Sequence, residues 1–310
     1  MTYKLALVGI GKIANDQHIP ALSDSDAFTL AATASRNGTV DGVTAYKSLA
    51  ELLEAEPDID CVSIATPPHV HYGDAKRAIE AGKHVMVEKP PGATLAEVID
   101  LETRAKAAGV AFYTSWHSRH AAAVAAAKDW LADRPLESLK ITWIEDVQEW
   151  HPGQDWVWEP GGLGVFDTGI NALSILTRIL PDEVHVKEAA LKVPENKQTP
   201  IVVEIDFVHP EGAGVSAVFD WTRAGPPTWD MDIRAAGETA KLSGGGAKFE
   251  AGGEVLAEGE DREYPTLYAE FAELVAAAKV DADPRPLRHV ADAFMLGRRE
   301  LVEPFEWNET

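Results

Sequence analysis

Residues 3–14 read YKLALVGIGKIA, an apolar, β-rich segment that stops at glycines and is followed by the start of a helix. Gly9 allows the tight turn, Gly11 lets the backbone approach a pyrophosphate, and the small Ala14 lets the helix pack closely on the strand. Backbone N–H groups at the start of the helix then face the phosphates. The motif directly follows an amino-terminal strand and therefore predicts the first unit of a Rossmann domain. The cofactor-binding residues predicted here are Gly9, Ile10, Gly11, Lys12 and Ile13.

The end of the next strand indicates which dinucleotide is bound. FTLAATASR (28–36) is β-rich and is followed by Asn37. A fold selective for NAD usually ends this strand with an acidic residue that bonds the ribose hydroxyls and would repel a 2′-phosphate. The Ser35 hydroxyl and the Arg36 guanidinium would instead bind that phosphate, although Arg36 could also be a solvated loop residue. The sequence favours NADP and does not exclude NAD.

Strands and helices alternate through the rest of the first 120 residues. SLAELLEAEPDID (48–60) has helical spacing, DCVSIAT (60–66) is a buried strand, and a helix over 71–81 precedes the strand HVMVEKP (84–90). This order predicts an α/β domain over 1–120 with a parallel sheet that binds ligands at the carboxyl ends of its strands. The residues predicted at these ends to bind the cofactor are Thr66, Pro67, His71, Glu88 and Lys89.

Lys89 ends an apolar strand in the sequence Glu-Lys-Pro. An ammonium at this end of the strand would project into the cofactor crevice, where it could orient a substrate hydroxyl and stabilise alkoxide charge. Pro90 restricts Lys89 to extended geometry and so helps to fix its direction. The alternative interpretation is that Lys89 is only solvated.

The remaining residues, 121–310, have the pattern of an α+β domain. IVVEIDFVH (201–209) and GVSAVFDWT (214–222) alternate apolar and polar side chains, which predicts an open, mostly antiparallel sheet. Its uncovered face could receive a second copy of the chain, giving a homodimer. The C-terminal helices could pack back on the first domain. The predicted helices are 121–132, 266–279 and 287–300, with a glycine-rich hairpin at 244–254.

The formal charge of −22 argues against nucleic acid and anionic membranes as partners, because both require clustered positive charge. The amino end has no signal-peptide pattern, and no apolar stretch approaches the ~20 residues of a membrane span. The single cysteine, Cys61, lies in an apolar run typical of a buried thiol. We therefore expect a cytoplasmic protein. His69 and His71 have a spacing seen in some metal sites, but no carboxylate or cysteine set completes a shell, so no metal is predicted.

Two polar residues lie near the start of a predicted helix in the second half, DTGINALSILTRIL (167–180). Asp167 and Asn171 are four residues apart and therefore lie on one face of that helix. The alternative for Asp167 is a capping role at the positive end of the helix. The preceding glycines, in GGLG (161–164), are expected to permit close approach of the chain to cofactor or substrate.

Three motifs together resemble one known family. GIGKIA (9–14), TPPHVH (66–71) and AGKHVMVEKP (81–90) are similar to the Gfo/Idh/MocA-type family, named for glucose–fructose oxidoreductase, inositol dehydrogenase and rhizopine catabolism. In that family Glu-Lys-Pro supplies the active-site lysine, which corresponds to Lys89. GGLGVFDTGINAL (161–173) continues the match where the family carries glycines, then an aspartate, then usually a histidine four residues later.

This sequence has Asn171 in place of the usual histidine, and asparagine cannot act as an acid or base near neutral pH. The base role then falls on Asp167, with Asn171 and Lys89 holding the reacting oxygen. Together with WHPGQDW (150–156), the pattern resembles aldose 1-dehydrogenases that oxidise the anomeric hydroxyl of L-arabinose or D-galactose to a lactone. The candidate sugar-binding residues, the first three from the resemblance, are His117, Glu145, His151, Trp150 and Trp229. They join Lys89, Asp167 and Asn171 in the predicted substrate site.

Two other interpretations remain open at this point. The chain could act on another polyol, a cyclitol or a dihydrodiol, or it could be a non-catalytic NADP-binding sensor. The presence of Lys89, Asp167 and Asn171 together disfavours the sensor, because a sensor needs none of them.

Overall fold

The computed structural model describes residues 2–308, which divide into two compact units. The first unit takes the chain up to His117 together with Glu263–Pro284, and the second takes Ser118–Arg262 and the chain from Arg285 onward. The strands are β1 (Tyr3–Val8), β2 (Phe28–Ala34), β3 (Thr44–Tyr46), β4 (Cys61–Ile64), β5 (His84–Glu88), β6 (Phe112–Ser115), β7 (Leu136–Ile144), β8 (His185–Pro194), β9 (Val202–Val208), β10 (Gly214–Asp220), β11 (Thr228–Ala235), β12 (Glu238–Ser243), β13 (Lys248–Ala251), β14 (Glu254–Glu258), β15 (Val280–Asp281) and β16 (Arg298–Val302). The α-helices are α1 (Ile19–Ser23), α2 (Leu49–Ala55), α3 (Pro68–Glu80), α4 (Leu95–Ala108), α5 (Val124–Leu131), α6 (Val147–Trp150), α7 (Phe166–Ile179), α8 (Glu263–Ala277) and α9 (Arg285–Leu296).

The first unit is built on a seven-stranded parallel sheet in the order β15-β6-β5-β4-β1-β2-β3. Its central strands are apolar along their length, and every residue of β4 is buried, as expected for parallel strands covered on both faces. The strand order reverses between β1 and β4, and ligands of such sheets bind outside the carboxyl ends at this point. The predicted Rossmann-type sheet is confirmed.

Helix α8 belongs to this first unit although it follows the second unit in sequence, so a boundary at residue 120 does not by itself separate the two units. Its apolar face joins the core of the first sheet through Tyr264, Tyr268 and Phe271. The ring of Phe271 stacks on Phe28 of β2 with centroids 5.4 Å apart. Buried aromatic surface of this kind is among the largest contributors to core stability.

The second unit contains a nine-stranded sheet in the order β14-β13-β12-β11-β7-β10-β9-β8-β16. Its neighbours are antiparallel except at two places, where β7 pairs with β10 and β8 with β16 in parallel. Val203, Ile205 and Phe207 of β9 are buried on one face, with exposed residues between them. The predicted open, mostly antiparallel sheet is therefore confirmed.

Two predicted elements of the second unit have different outcomes. The helix expected over 287–300 ends at Leu296. The Gly297 N–H donates to the carbonyl oxygen of Ala293 at 2.8 Å, and the chain then forms β16. The glycine-rich hairpin is confirmed, with Gly252 and Gly253 joining β13 to β14. Among residues 2–308 we find no helix with the length and apolar character of a membrane span.

Candidate functional site

The glycine turn after β1 has the geometry of a dinucleotide cradle. Gly9 has φ +89°, and an added Cβ would lie 2.7 Å from the carbonyl oxygen of Ala65, so both backbone conformation and space require glycine. A Cβ at Gly11 would meet nothing within 4 Å, which leaves room for a bound group beside the backbone. The chain then enters a π-helical turn (Ala14–His18) that continues into α1. These features fit the phosphates of a dinucleotide.

The loop after β4 adds a second observation that fits a bound cofactor. Thr66 lies against Gly9, and its Oγ1 is buried without a hydrogen-bond partner in the described part of the chain. Buried hydroxyls normally have a partner, and a ligand in the crevice could provide one. Pro67 is in extended conformation and precedes α3 as its N-cap.

His71 joins the two loops at this end of the sheet. Its Nδ1 lies 2.8 Å from the carbonyl oxygen of Pro90, and its Nε2 contacts the carbonyl oxygen of Thr66. Burial lowers the pKa of the imidazole, which has no exposed surface. Both ring nitrogens are engaged within the protein, so we expect His71 to affect the cofactor only by holding these loops.

The end of β2 is followed by a turn that carries Ser35 and Arg36. The Ser35 Oγ accepts the Gly38 N–H at 3.1 Å, and a Cβ at Gly38 would lie 2.5 Å from the carbonyl oxygen of Ile10. Arg36 is exposed at the tip of the turn, and the Lys47 ammonium donates to its carbonyl oxygen at 3.2 Å. Lys47 was missed in the sequence, where its only indication is its place directly after β3. The Lys47 ammonium thus lies at the turn that carries Arg36.

Glu88 is the centre of a buried hydrogen-bond network below this crevice. Its Oε1 accepts from the His18 Nε2 at 3.0 Å and from the Tyr264 hydroxyl at 2.8 Å. Its Oε2 accepts the backbone N–H of Lys89 at 3.0 Å, and the Tyr268 hydroxyl contacts the His18 Nδ1 at 2.8 Å. The predicted cofactor residue Glu88 is thus buried and acts on the crevice by fixing the backbone of Lys89. His18 and the tyrosines of α8 were not found from the sequence.

Lys89 and His117 lie at the ends of neighbouring strands in the first unit. The Lys89 N–H also donates to the Ser115 Oγ at 3.2 Å, and its side chain is half-buried. His117 forms an ion pair with Glu263 and stacks on Tyr264 with ring centroids 5.5 Å apart. Burial opposes charge on the His117 imidazole, but the adjacent Glu263 carboxylate raises its pKa. The backbone of Lys89 is thus bonded to Ser115 of β6, and the His117 ring is held by Glu263 and Tyr264 of α8.

The Glu88 network predicts how the stability of the first unit depends on pH. Burial alone would raise the pKa of Glu88, but the bond from His18 and the nearby positive charges lower it to about 2. A carboxyl whose pKa is lower in the folded than in the unfolded state stabilises the fold above its unfolded pKa, and this stabilisation is lost as pH falls toward the folded pKa. We expect the unfolding free energy of the wild type to fall between pH ~4.5 and ~2 more steeply than that of Glu88→Gln.

Urea unfolding at a series of pH values measures this difference. Glu254→Gln on the exposed strand β14 is the matched control, because that side chain lies in water in both states. Parallel pH profiles for the wild type and Glu88→Gln would contradict the expected role of Glu88.

Glu145 is the centre of the candidate site in the second unit. It follows β7, is 2 % exposed, and accepts three side-chain hydrogen bonds. The indole N–H of Trp221 donates to its Oε1 at 3.1 Å, and the indole N–H of Trp229 donates to its Oε2 at 2.9 Å. The third bond joins the His151 Nε2 to Oε1 at 3.0 Å. Glu145 therefore orients three rings and has little accepting capacity left for a ligand.

Asp167 is brought beside this cluster by the start of α7. Its Oδ2 lies 4.0 Å from the His151 Nδ1, and its side chain is 7 % exposed. The N-cap of α7 is Val165, which makes no side-chain capping bond, so Asp167 lies inside the first turn and is not the capping residue. A carboxylate there is stabilised by the helix dipole. Asn171 follows one turn later and is half-buried.

Aromatic rings form the wall of this site. Trp150 is 39 % exposed and meets Trp229 edge to face with centroids 5.2 Å apart. Trp229 in turn stacks on Trp143 of β7 at 6.0 Å. Apolar faces next to a few fixed polar groups are typical of sites for small polar ligands.

The C-terminal residues hold the segment that carries Trp150 and His151. The Gln148 amide donates to the carbonyl oxygen of Glu306 at 2.8 Å and accepts the Asn308 N–H at 3.0 Å. The Trp307 indole donates to the Asp155 carboxylate at 2.7 Å. These contacts were not predicted, because they join positions more than 150 residues apart.

The glycines before Asp167 lie where the chain packs closely against itself. A Cβ at Gly162 would overlap the carbonyl oxygen of Trp156, and one at Gly164 would overlap that of Pro200. Both glycines therefore permit close packing of the chain against itself, and their expected approach to cofactor or substrate stays a prediction. Among residues 2–308, no three histidine, cysteine or acidic side chains are grouped as metal ligands.

Comparison with known proteins agrees with both units. Residues 3–115 match the model of an oxidoreductase family with an NAD-binding Rossmann fold. A galactose 1-dehydrogenase from Pseudomonas fluorescens is 44 % identical over 302 residues, which are 97 % of this chain and 98 % of that protein. The solved structure of a D-galactose-1-dehydrogenase protein from Rhizobium etli is 51 % identical, with a TM-score of 0.95 and 98 % of each chain covered.

A more distant structure shares the fold alone. A 3-ketoreductase from Actinomadura kijaniata, solved with TDP-benzene and NADP, is 18 % identical with a TM-score of 0.82, covering 97 % of this chain and 100 % of that one. The near-full-length match at 44 % identity shows the relationship at the level of sequence. This chain belongs to the Gfo/Idh/MocA-type oxidoreductase family.

Proposed function

We propose that the protein is an NADP-preferring aldose 1-dehydrogenase that oxidises the anomeric hydroxyl of D-galactose or L-arabinose to the lactone. The observation that carries this proposal is the cluster in the second unit, where Asp167 and His151 lie beside the wall of Trp150 and Trp229. The similarity to two galactose 1-dehydrogenases over nearly their whole length supports it. The two sugars match around the reacting carbon and differ mainly in a hydroxymethyl group, so both are proposed substrates.

The residues of the second unit suit the removal of a proton from the sugar. Asp167 takes the proton of the anomeric hydroxyl, and Asn171, one turn away on α7, holds the same oxygen by its amide. Trp150 and Trp229 pack on the apolar face of the sugar ring, and Glu145 fixes their surroundings. When bound, the oxidised nicotinamide supplies the acceptor for the hydride that leaves the anomeric carbon. Lys89 remains the proposed second donor to the reacting oxygen.

A panel of aldoses tests this proposal. With NADP present, D-galactose and L-arabinose should each drive reduction of the nicotinamide, and a lactone should be identified as the product. A cyclitol, a polyol and a dihydrodiol in the same panel should be turned over poorly or not at all. If no aldose is oxidised, the sugar assignment fails.

The cytoplasmic location and the second copy of the chain on the open sheet face remain proposals of ours.

The proposed preference for NADP is supported by Arg36 together with Lys47. A charge-assisted hydrogen bond contributes about 1.5–3 kcal/mol, which corresponds to roughly 10- to 100-fold in affinity. The double variant Arg36→Ala, Lys47→Ala should therefore raise the KM for NADP about 100-fold and change the KM for NAD no more than a few-fold. Lys187→Ala, an exposed lysine on β8, is the control. Equal losses with both cofactors would contradict recognition of the 2′-phosphate.

A further inference from the structure

Two hydrogen-bond acceptors face each other in the second unit. The Nδ1 of His151 is buried and has no hydrogen-bond partner among the described residues. The Asp167 Oδ2 lies 4.0 Å from this nitrogen, which is beyond hydrogen-bond distance. Buried polar atoms normally have a hydrogen-bond partner. A proton shared with the carboxylate, or a ligand hydroxyl, would provide one for this nitrogen.

The contacts of Glu145 decide which ring nitrogen carries hydrogen. An indole nitrogen can only donate, so the bonds from Trp221 and Trp229 make both Glu145 oxygens acceptors. The His151 Nε2, 3.0 Å from Oε1, is therefore the donor of the third bond. In the neutral imidazole the other nitrogen, Nδ1, then carries the lone pair that is directed toward Asp167.

The fixed position of the ring follows from its neighbours. Glu145 comes from the end of β7, Asp167 from the first turn of α7, and the Trp221 ring lies 4.9 Å away with a tilt of 35°. Among the described residues, Glu145 and Asp167 are the charged groups that pair with this imidazole. Histidine serves as a base when one ring nitrogen donates to a carboxylate and the other ring nitrogen can accept a proton.

We propose that His151, oriented by Glu145, is the residue that receives the substrate proton through Asp167. This inference rests on the proposed function. In this proposal His151, from another segment of the chain, takes the role of the histidine that Asn171 replaces. A base of this kind is needed because Asn171 cannot take a proton near neutral pH.

The step balances within the proposed reaction. The O–H bond of the anomeric hydroxyl breaks and its proton passes to the Asp167 carboxylate. The electron pair of the anomeric C–H bond leaves as hydride to the bound nicotinamide, and a C=O bond forms at the anomeric carbon. The proton on Asp167 then moves to the His151 Nδ1, either after the two side chains approach from 4.0 Å to hydrogen-bond distance or through one water. The resulting imidazolium is stabilised by the Glu145 carboxylate.

The variant His151→Gln tests this step, because its amide can still donate to Glu145 while the basic nitrogen that takes the proton is removed. General acid–base groups contribute about 10²- to 10⁴-fold. We expect kcat to fall at least ~10²-fold, with the KM for the sugar changed no more than about threefold and NADP affinity unchanged. His185→Gln, an exposed histidine on β8, is the matched control. A raised sugar KM with kcat close to that of the wild type would overturn the proposal and leave only a sugar contact.

Two further measurements keep the test independent of folding and of the assigned substrate. Added imidazole should restore part of the turnover of His151→Ala, whereas a variant that is merely misfolded would not respond. Nitrogen-15 NMR of histidine-labelled protein should show hydrogen on the His151 Nε2 and an acceptor at Nδ1. The opposite tautomer would overturn the proposal. If the wild type oxidises no aldose, the proposed function fails, while the NMR result still decides the orientation of His151.

Discussion

Asp167→Asn is expected to lower kcat by about 10³-fold while NADP binding stays intact. The amide has nearly the shape of the carboxylate but cannot accept the proton of the anomeric hydroxyl. The side chain lies in the first turn of α7 with its Oδ2 facing the His151 Nδ1, so its loss interrupts the proposed path at its first step.

Steady-state kinetics with NADP and galactose, together with NADP titration by fluorescence, separate the two effects. Asp133→Asn, at an exposed position after α5, is the control for the substitution itself. Turnover within a few-fold of the wild type would exclude Asp167 as the base. Lost NADP binding would show that the change reaches beyond the reacting oxygen.

Glu145→Leu is expected to have the second-largest effect, because it lowers both the free energy of unfolding and the turnover. It removes the acceptor of three donors, the indoles of Trp221 and Trp229 and the His151 Nε2. Each unpaired buried group costs about 1–3 kcal/mol, although the Trp221 N–H keeps its bond to the Thr168 hydroxyl at 3.0 Å. We expect the unfolding free energy to fall by roughly 3–5 kcal/mol.

Thermal and urea unfolding measure this loss, and kinetics on the folded fraction measure the loss of His151 orientation. Glu145→Gln keeps one acceptor oxygen and should be less destabilised than Glu145→Leu. Equal stability of Glu145→Leu and the wild type would show that the three donors find other partners.

Local chemistry explains which parts of the molecule were predictable from the sequence. Gly9 and Gly11 could be interpreted because a strand, a turn and a helix meet within a dozen residues. The alternation of Val203, Ile205 and Phe207 likewise reports the buried face of a strand directly. Asp167 and Asn171 share a helix face by spacing alone.

Long-range packing accounts for most of what was missed. Tyr264 reaches Glu88 across 176 positions of the chain, and no pattern near either residue indicates the pairing. The packing of Gly162 and Gly164 was also missed, because the neighbouring backbone that fills the space where a Cβ would be comes from other segments of the chain. Gly297 was a local indication that the helix ends there. The prediction ran past it because the apolar periodicity of the segment continues beyond this residue.

An isotope-transfer experiment tests the central claim most directly. It uses D-galactose with deuterium at the anomeric carbon and measures which product carries the deuterium. The protein, NADP and this sugar are mixed, and the reduced nicotinamide and the sugar product are analysed by mass spectrometry. Oxidation at the anomeric carbon predicts deuterium in the reduced nicotinamide and an unlabelled lactone. Reduced nicotinamide without deuterium, or a sugar product that keeps its label, would contradict it.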